Sequence, residues 1–107
     1  MELDDNEGII VLVLLMERLR EAHDLVVEEA IHDQLTPQDC QHQADNISTC
    51  LNLAKRMRQR YLVDKTNDEQ KLKKENEAFA LFVEYIDWTI DQFKANAPKP
   101  NHLRVVK

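Results

Sequence analysis

The stretch FALFVEYIDWTIDQF, residues 79–93, decides the fold. Its large apolar side chains recur every three or four residues, a spacing that places them on one face of an α-helix. Apolar residues before and after the stretch continue the same stripe, which comprises Leu72, Phe79, Phe82, Val83, Ile86, Ile90, Phe93 and Ala97. The pattern predicts one long amphipathic helix that packs along this stripe.

Two further helices precede this one. Thr36 can cap a helix that begins at Pro37, and Thr66 or Asn67 can cap the next one. One glycine and three prolines in 107 residues are too few for a turn-rich β architecture. We therefore predict an all-α fold, an up-down-up antiparallel bundle of three long helices that dimerisation completes. The predicted helices are residues 7–34, 37–63 and 67–96, in one domain of residues 1–97 with a C-terminal tail of residues 98–107.

The first two predicted helices carry apolar stripes of their own. In the second helix the stripe consists mainly of small residues, which let neighbouring backbones approach closely: Cys40, Ala44, Ile47, Leu51, Ala54 and Tyr61. The stripe of the first helix consists of Leu12, Met16, Leu19, His23, Val26 and Ala30. Three matching stripes predict one shared core.

Composition limits the class of protein. The eight apolar residues Ile9–Met16 are too few to cross a bilayer, which takes about 20, and the acidic start is unlike a secretory signal. We therefore predict a soluble cytoplasmic protein. Cys40 and Cys50 lie ten residues apart in one helix, about 15 Å, so we predict free thiols. The net charge of −6 argues against nucleic-acid binding. The sequence contains no Gly-rich loop of the kind that binds a phosphate-bearing cofactor, so we predict no cofactor.

Apolar residues also lie outside the stripes. At about 100° per residue, six of them point away from the predicted core: Ile10, Val13, Leu14, Leu81, Tyr85 and Trp88. A helix that is apolar all round is usually buried all round, which a lone three-helix bundle cannot achieve. We predict that a second copy, another protein or the tail covers them. The leading hypothesis is a homodimeric interaction module of the regulator, adaptor, immunity, inhibitor or chaperone type.

A ribonuclease is the alternative function. The segment RLREAH, residues 18–23, resembles the Arg-x4-His motif of HEPN-type ribonucleases, which are helical bundles that often dimerise. The resemblance covers six residues and implies a site at a dimer cleft. It implies acid–base chemistry for His23 and stabilisation of phosphate charge for Arg18. The structural interpretation of the same residues is a histidine on the core stripe and an arginine at the surface.

A metal-binding bundle is the third hypothesis. Glu29 and His32 have the Glu-x-x-His spacing of di-iron bundles, and Asp39 and His42 repeat it with an aspartate. Metal ligands in such bundles point inward, whereas His32 lies more than about 100° away from the core stripe. We therefore predict solvated charge here and no metal.

One basic cluster stands out in the acidic chain. It comprises Lys55, Arg56, Arg58 and Arg60, near the end of the second helix. Cations of this kind can bind phosphates, and they also suit the C-terminal end of a helix. Antiparallel topology brings this end back to the acidic start of the chain, so we predict pairing within the molecule.

Overall fold

The computed structural model describes residues 3–28 and 35–98, and all its regular elements are helical. Helix α1 spans Asp5–Val27, α2 spans Pro37–Arg58 and α3 spans Glu69–Ala95. A five-residue π-helical segment, Gln59–Val63, continues α2. Each α-helix packs against the other two, which confirms the predicted all-α bundle.

Capping boxes set the starts of α1 and α2. Thr36 caps α2 as predicted: its hydroxyl accepts the N–H of Asp39 (3.1 Å), and the Asp39 carboxylate accepts the N–H of Thr36 (3.1 Å). Asp4 and Glu7 form the same reciprocal pair at the start of α1. Because each box satisfies two otherwise unpaired N–H groups, α1 begins at Asp5, two residues before the predicted start.

The predicted cap of α3 was wrong. Asp68 caps this helix, and its carboxylate accepts the N–H groups of Gln70 and Lys71 at 3.1 Å. The Thr66 hydroxyl instead donates to the Leu62 carbonyl (2.6 Å), which closes the end of the preceding helical segment. Thr66 is therefore used at the end of one helix and is not the start of the next.

The helix ends also differ in part from the prediction. Helix α1 ends at Val27, and the turn residue Glu28 donates its N–H to the Asp24 carbonyl (2.9 Å). The rest of the predicted extension, residues 29–34, lies outside the described residues. The second helix reaches Val63 as predicted, but its last five residues are π-helical.

The core lies where the three stripes meet. Every predicted stripe residue of α2 is buried, and the described stripe residues of α1 are buried or half-buried. The largest completely buried side chains come from all three helices: Leu19, Cys40, Ile47, Ile86, Thr89 and Phe93. In α3, however, burial begins only at Ile86, so the first half of this helix contributes half-buried residues at most.

The π-helical segment packs against the start of α1. It carries Tyr61, whose buried ring packs against Gly8 and whose hydroxyl donates to the Leu3 carbonyl (3.2 Å). A Cβ atom at Gly8 would lie closer than 3.0 Å to three carbons of this ring. The single glycine of the chain therefore allows the ring to approach the helix backbone.

The two thiols are expected to react at different rates. Both are unpaired, as predicted; Cys40 is 1% exposed and Cys50 is half-buried. Burial raises the pKa of the Cys40 thiol, and the negative charge of Asp39 acts in the same direction. Since the thiolate is the reactive form, we expect a disulfide reagent at pH 8 to modify Cys40 at least about tenfold more slowly than Cys50. Cys50→Ser should remove the fast phase, and a surviving fast phase would contradict this assignment.

Among the helices of residues 3–28 and 35–98, none has both the length and the apolar character needed to cross a bilayer.

Candidate functional site

An open groove runs between α1 and α3. It has a volume of about 480 Å³, within the range of ligand-binding clefts. Apolar side chains form most of its wall and charged side chains its edges: Leu12, Met16, Leu62, Ala78, Phe79 and Phe82 with Arg20, Arg58, Lys74 and Glu75. A smaller cavity of about 120 Å³ shares Arg20 and Phe82 with it, so the groove continues towards His23 and Tyr85.

The groove exists because the stripe of α3 has a polar gap. Between Leu72 and Phe79, helical spacing places Glu75 on the side that faces the bundle, where a large apolar residue would close the core. Phe79 and Phe82 were predicted to be core residues, but they are half-buried. Their rings pack together in the groove wall, with centroids 6.2 Å apart and planes inclined by 27°.

A buried arginine lies at one end of the groove. Arg58 is 9% exposed, and its Nη2 donates to Oδ1 of Asn76 (2.7 Å). Its guanidinium carbon lies 4.5 Å from the centroid of the Phe79 ring, a cation–π contact. Arg58 thus joins α2 to α3 and is not part of an exposed basic surface.

The other cations of the predicted basic cluster point elsewhere. Lys55 and Arg56 are exposed on α2, and Arg60 lies 5.5 Å from the ring centroid of Tyr61. At this end of the bundle, an ion pair joins Lys65 Nζ to Asp5 Oδ1 (3.7 Å), and Arg60 lines one cavity together with Leu3 and Asp5. The acidic start thus meets the end of the second helical segment, as the topology predicted. Its neighbours there are Lys65, which lies outside the cluster, and Arg60, which belongs to it.

Aromatic side chains line the other end of the groove. The ring of His23 contacts those of Tyr85 and Trp88, with centroid distances of 5.9 and 5.8 Å. Because His23 belongs to α1 and the other two to α3, the contacts join the two helices at this end of the groove. Thr89 is buried in the same part of α3, and its hydroxyl donates to the Tyr85 carbonyl (2.8 Å).

All six residues of the predicted interface are exposed. Their exposed fractions range from 45% for Trp88 to 58% for Ile10, Leu14 and Tyr85. The prediction that they point away from the core is therefore confirmed, whereas their role in an interface remains a prediction. Val27, with 56% exposure, is a seventh large apolar residue at the surface that the sequence argument missed.

The exposed apolar residues divide between two sides of α1. Val13 lies three and seven residues before Met16 and Arg20, both in the groove wall, so it flanks the groove. Leu14 lies four residues before Arg18, whose Nη2 donates to Oε1 of Gln43 on α2 (2.8 Å). Leu14 therefore lies on the opposite side of α1, and Ile10 lies between the two positions.

We call the surface over the groove the α1–α3 face. It carries Val13, Met16, Arg20, Lys74, Leu81, Phe82, Tyr85 and Trp88. Leu81 belongs to it because helical spacing places this residue on the side of Ala78 and Tyr85. The face thus combines four of the six predicted interface residues with the groove, which sequence reasoning missed.

The two residues of the ribonuclease hypothesis do not come together. His23 is five positions after Arg18, which corresponds to about 140° around a helix. Arg18 is accordingly directed to Gln43 of α2, and His23 to the aromatic residues of α3. Within one chain they share no cleft, and the ribonuclease remains a prediction without geometric support.

The structure describes only some of the residues on which the metal hypothesis depends. Glu29 and His32 are outside the described residues. In the described part of the chain, no cluster of three or more His, Cys, Asp or Glu side chains could hold a metal ion. The Asp39 carboxylate acts as a helix cap, and its hydrogen bonds with the backbone and side chain of Thr36 hold its pKa below the ordinary value.

Comparisons with models of known protein families, with curated proteins and with solved structures found no match to this chain.

Proposed function

We propose that this protein is a protein–protein interaction module and that the α1–α3 face is its docking surface. One observation carries the proposal. Of the seven large apolar side chains that are exposed among the described residues, none lies on α2, and four lie around the groove between α1 and α3: Val13, Leu81, Tyr85 and Trp88. Single exposed apolar residues are ordinary, whereas a group of them around an open apolar groove is typical of a binding surface.

The aromatic end of the face supplies the anchors. Tyr85 and Trp88 are exposed by 58% and 45%, and the contact of each with His23 restricts its rotation. Aromatic side chains held in this way lose little entropy on binding and contribute large contact areas, which makes them frequent hot spots. Leu81 and Phe82 extend the apolar area towards the groove.

The proposal is tested by photocrosslinking in the cells that produce the protein. A benzophenone amino acid placed at Leu81 should yield discrete adducts, while the same group at Leu14 should not. The two leucines are matched in exposure, 54% and 58%, but lie on different sides of the bundle. Adding Trp88→Glu should lower the adduct yield at position 81 at least about tenfold, as expected for a hot spot.

The helix content of each variant, measured by circular dichroism, is the folding control. Equal adduct yields at positions 81 and 14, or yields that Trp88→Glu leaves unchanged, would refute the α1–α3 face as the docking surface.

A further inference from the structure

The groove of the α1–α3 face is basic, although the chain as a whole has a net charge of −6. Its charged lining comprises Arg20, Arg58, Lys74 and Glu75. Within residues 3–28 and 35–98, none of the three cations forms an ion pair with a carboxylate. This is ordinary for Arg20 and Lys74, which are exposed to solvent, but it is unusual for Arg58, which is 9% exposed. Among the described residues, Arg58 is thus a buried positive charge without a counter-ion.

The guanidinium of Arg58 also has hydrogen-bond donors to spare. It donates through Nη2 to Asn76, and no hydrogen bond joins its Nε or Nη1 to the described part of the protein. Every buried side-chain nitrogen in that part has a hydrogen-bond partner, so these two nitrogens keep some accessible surface. Because Arg58 lines the groove, a ligand there can reach them. The contacts with Asn76 and with the Phe79 ring hold the guanidinium in place, which suits the two-pronged binding of a carboxylate.

An apolar channel leads away from Arg58. Tyr61 packs on Gly8 at this end of the bundle. Because α1 and α2 are antiparallel, Arg58, one turn before Tyr61, lies near Leu12. Leu12 and Arg20 line the groove eight residues apart on α1, which gives it a length of about 12 Å. The smaller cavity extends it further, so a fixed cationic group lies at the start of an elongated apolar groove.

We propose that the groove binds a free amphipathic monocarboxylate, such as a medium-chain fatty acid, with its carboxylate on Arg58 and its chain along Met16 and Phe82. The inference goes beyond the proposed function, because it needs no protein partner. The carboxylate supplies the counter-ion that Arg58 lacks, and the chain covers the apolar wall. Since Arg58 is only 9% exposed, the ligand must enter the groove. A slender free molecule does so more readily than a short side chain fixed to a partner's backbone.

One carboxylate of the groove opposes an anionic ligand. Glu75 is half-buried, lines the groove and directly precedes Asn76, the partner of Arg58. Its repulsion should weaken the binding of a carboxylate without abolishing it, because the cations outnumber it. The two charges therefore give variants of opposite sign: loss of the Glu75 charge should raise the affinity for a carboxylate, and loss of the Arg58 charge should lower it.

The test is an NMR titration of the isotope-labelled protein with ligands of one chain length and different head groups, below their micelle-forming concentrations. Octanoate should give saturable shifts centred on the groove. Octan-1-ol and octylammonium should bind at least about fivefold more weakly, because neither offers a negative charge to the guanidinium. Butanoate should bind at least about tenfold more weakly than octanoate, because it lacks much of the apolar chain.

Three variants locate the carboxylate. Arg58→Gln should lower the affinity for octanoate at least about fivefold and leave that for octan-1-ol unchanged within about twofold, because the apolar wall remains. Glu75→Gln should raise the affinity for octanoate at least about twofold. The matched control, Lys55→Gln/Arg56→Gln, removes two exposed cations of α2 and should change neither affinity. Circular dichroism checks the helix content of each variant, and Glu75→Gln with the ligand series still tests the site if Arg58→Gln does not fold.

Several results would overturn the proposed site. One is the absence of saturable shifts with octanoate, and another is equal affinity for octanoate and octan-1-ol, which would indicate an apolar patch without a carboxylate site. An affinity for octanoate that Arg58→Gln leaves unchanged, or that Glu75→Gln lowers, would place the carboxylate elsewhere.

The crosslinking at position 81 separates this inference from the proposed function. Adducts at that position without octanoate binding would support the docking surface and overturn the free ligand. If Arg58→Gln also abolished those adducts, the counter-ion of Arg58 would be a carboxylate of the protein partner. Octanoate binding without adducts would support the ligand site and refute the docking surface.

Discussion

Gly8→Ala is expected to lower the free energy of unfolding by up to about 2 kcal/mol, because overpacking a tightly filled site costs about 1–3 kcal/mol and the higher helix propensity of alanine offsets about 1 kcal/mol of this. The added methyl group would meet the near edge of the Tyr61 ring at less than 3.0 Å. The ring cannot swing away freely, because its hydroxyl is bonded to the Leu3 carbonyl and the residue is buried. The steric cost therefore exceeds the gain of about 1 kcal/mol that alanine has over glycine inside a helix.

The same substitution should have the opposite sign once the ring is gone. In a Tyr61→Ala background, Gly8→Ala has no ring to displace, and only its helix propensity remains. We expect it to stabilise this variant by about 1 kcal/mol. Urea unfolding of the four proteins forms a double-mutant cycle whose coupling energy measures the contact directly.

Tyr61→Phe serves as a control that keeps the ring and removes the hydrogen bond to Leu3. Its expected cost is about 0.5–1.5 kcal/mol, and Gly8→Ala should remain destabilising in this background. Stabilisation of the wild-type protein by Gly8→Ala would show that the ring does not pack on Gly8.

The core of α2 could be predicted from the sequence because its stripe is uninterrupted. Apolar residues recur from Cys40 to Ala54 without a polar substitute, and the neighbouring helices bury all of them. The capping box at Thr36 is equally local, since its signal lies within four residues. Features that depend on short, regular sequence patterns could thus be predicted without the structure.

The groove was missed because a stripe was extended across a polar gap. Phe79 and Phe82 have the spacing of core residues, but Glu75 interrupts the stripe one turn earlier. Periodicity alone does not say how much a neighbouring helix covers. The sequence did contain a signal, namely a glutamate at a core-facing position beside a stretch without large apolar residues.

Contacts between distant segments could not be predicted. The packing of Tyr61 on Gly8 joins residues more than fifty positions apart, and it depends on a π-helical turn that apolar periodicity does not distinguish from an α-helix. The inward turn of Arg58 likewise depends on Asn76, a residue of another helix. The four cations are neighbours in the sequence but differ in burial: one is buried and the others are exposed.

The sequence was sufficient to predict that the residues of the interface are exposed. It was not sufficient to predict which of them lie on the same face. Helical phase alone directs Val13 and Leu14 away from the core. Only the contacts of Arg18 with α2 and of His23 with α3 show that these neighbours lie on different sides of α1. The α1–α3 face therefore emerges from the positions of the neighbouring helices.

Two phenylalanines of α3 should differ sharply in their contribution to stability. Phe93 is completely buried, whereas Phe82 is half-buried in the groove wall, although both belong to one sequence stripe. Phe93→Ala should lower the free energy of unfolding by about 3–5 kcal/mol, because it removes a large apolar group and leaves a cavity. Phe82→Ala should cost at most about 1.5 kcal/mol, because much of its ring already contacts solvent.

Urea unfolding at a protein concentration below the range of self-association measures both effects on the folded monomer. Phe93→Leu is the control for side-chain volume, and its cost should be well below that of Phe93→Ala. Equal costs for Phe82→Ala and Phe93→Ala would mean that the first half of α3 is packed as closely as the second, and that the groove is closed in solution. A small cost at Phe82 would instead mean that its ring does little for the fold of one chain, so that it is free to contribute to binding.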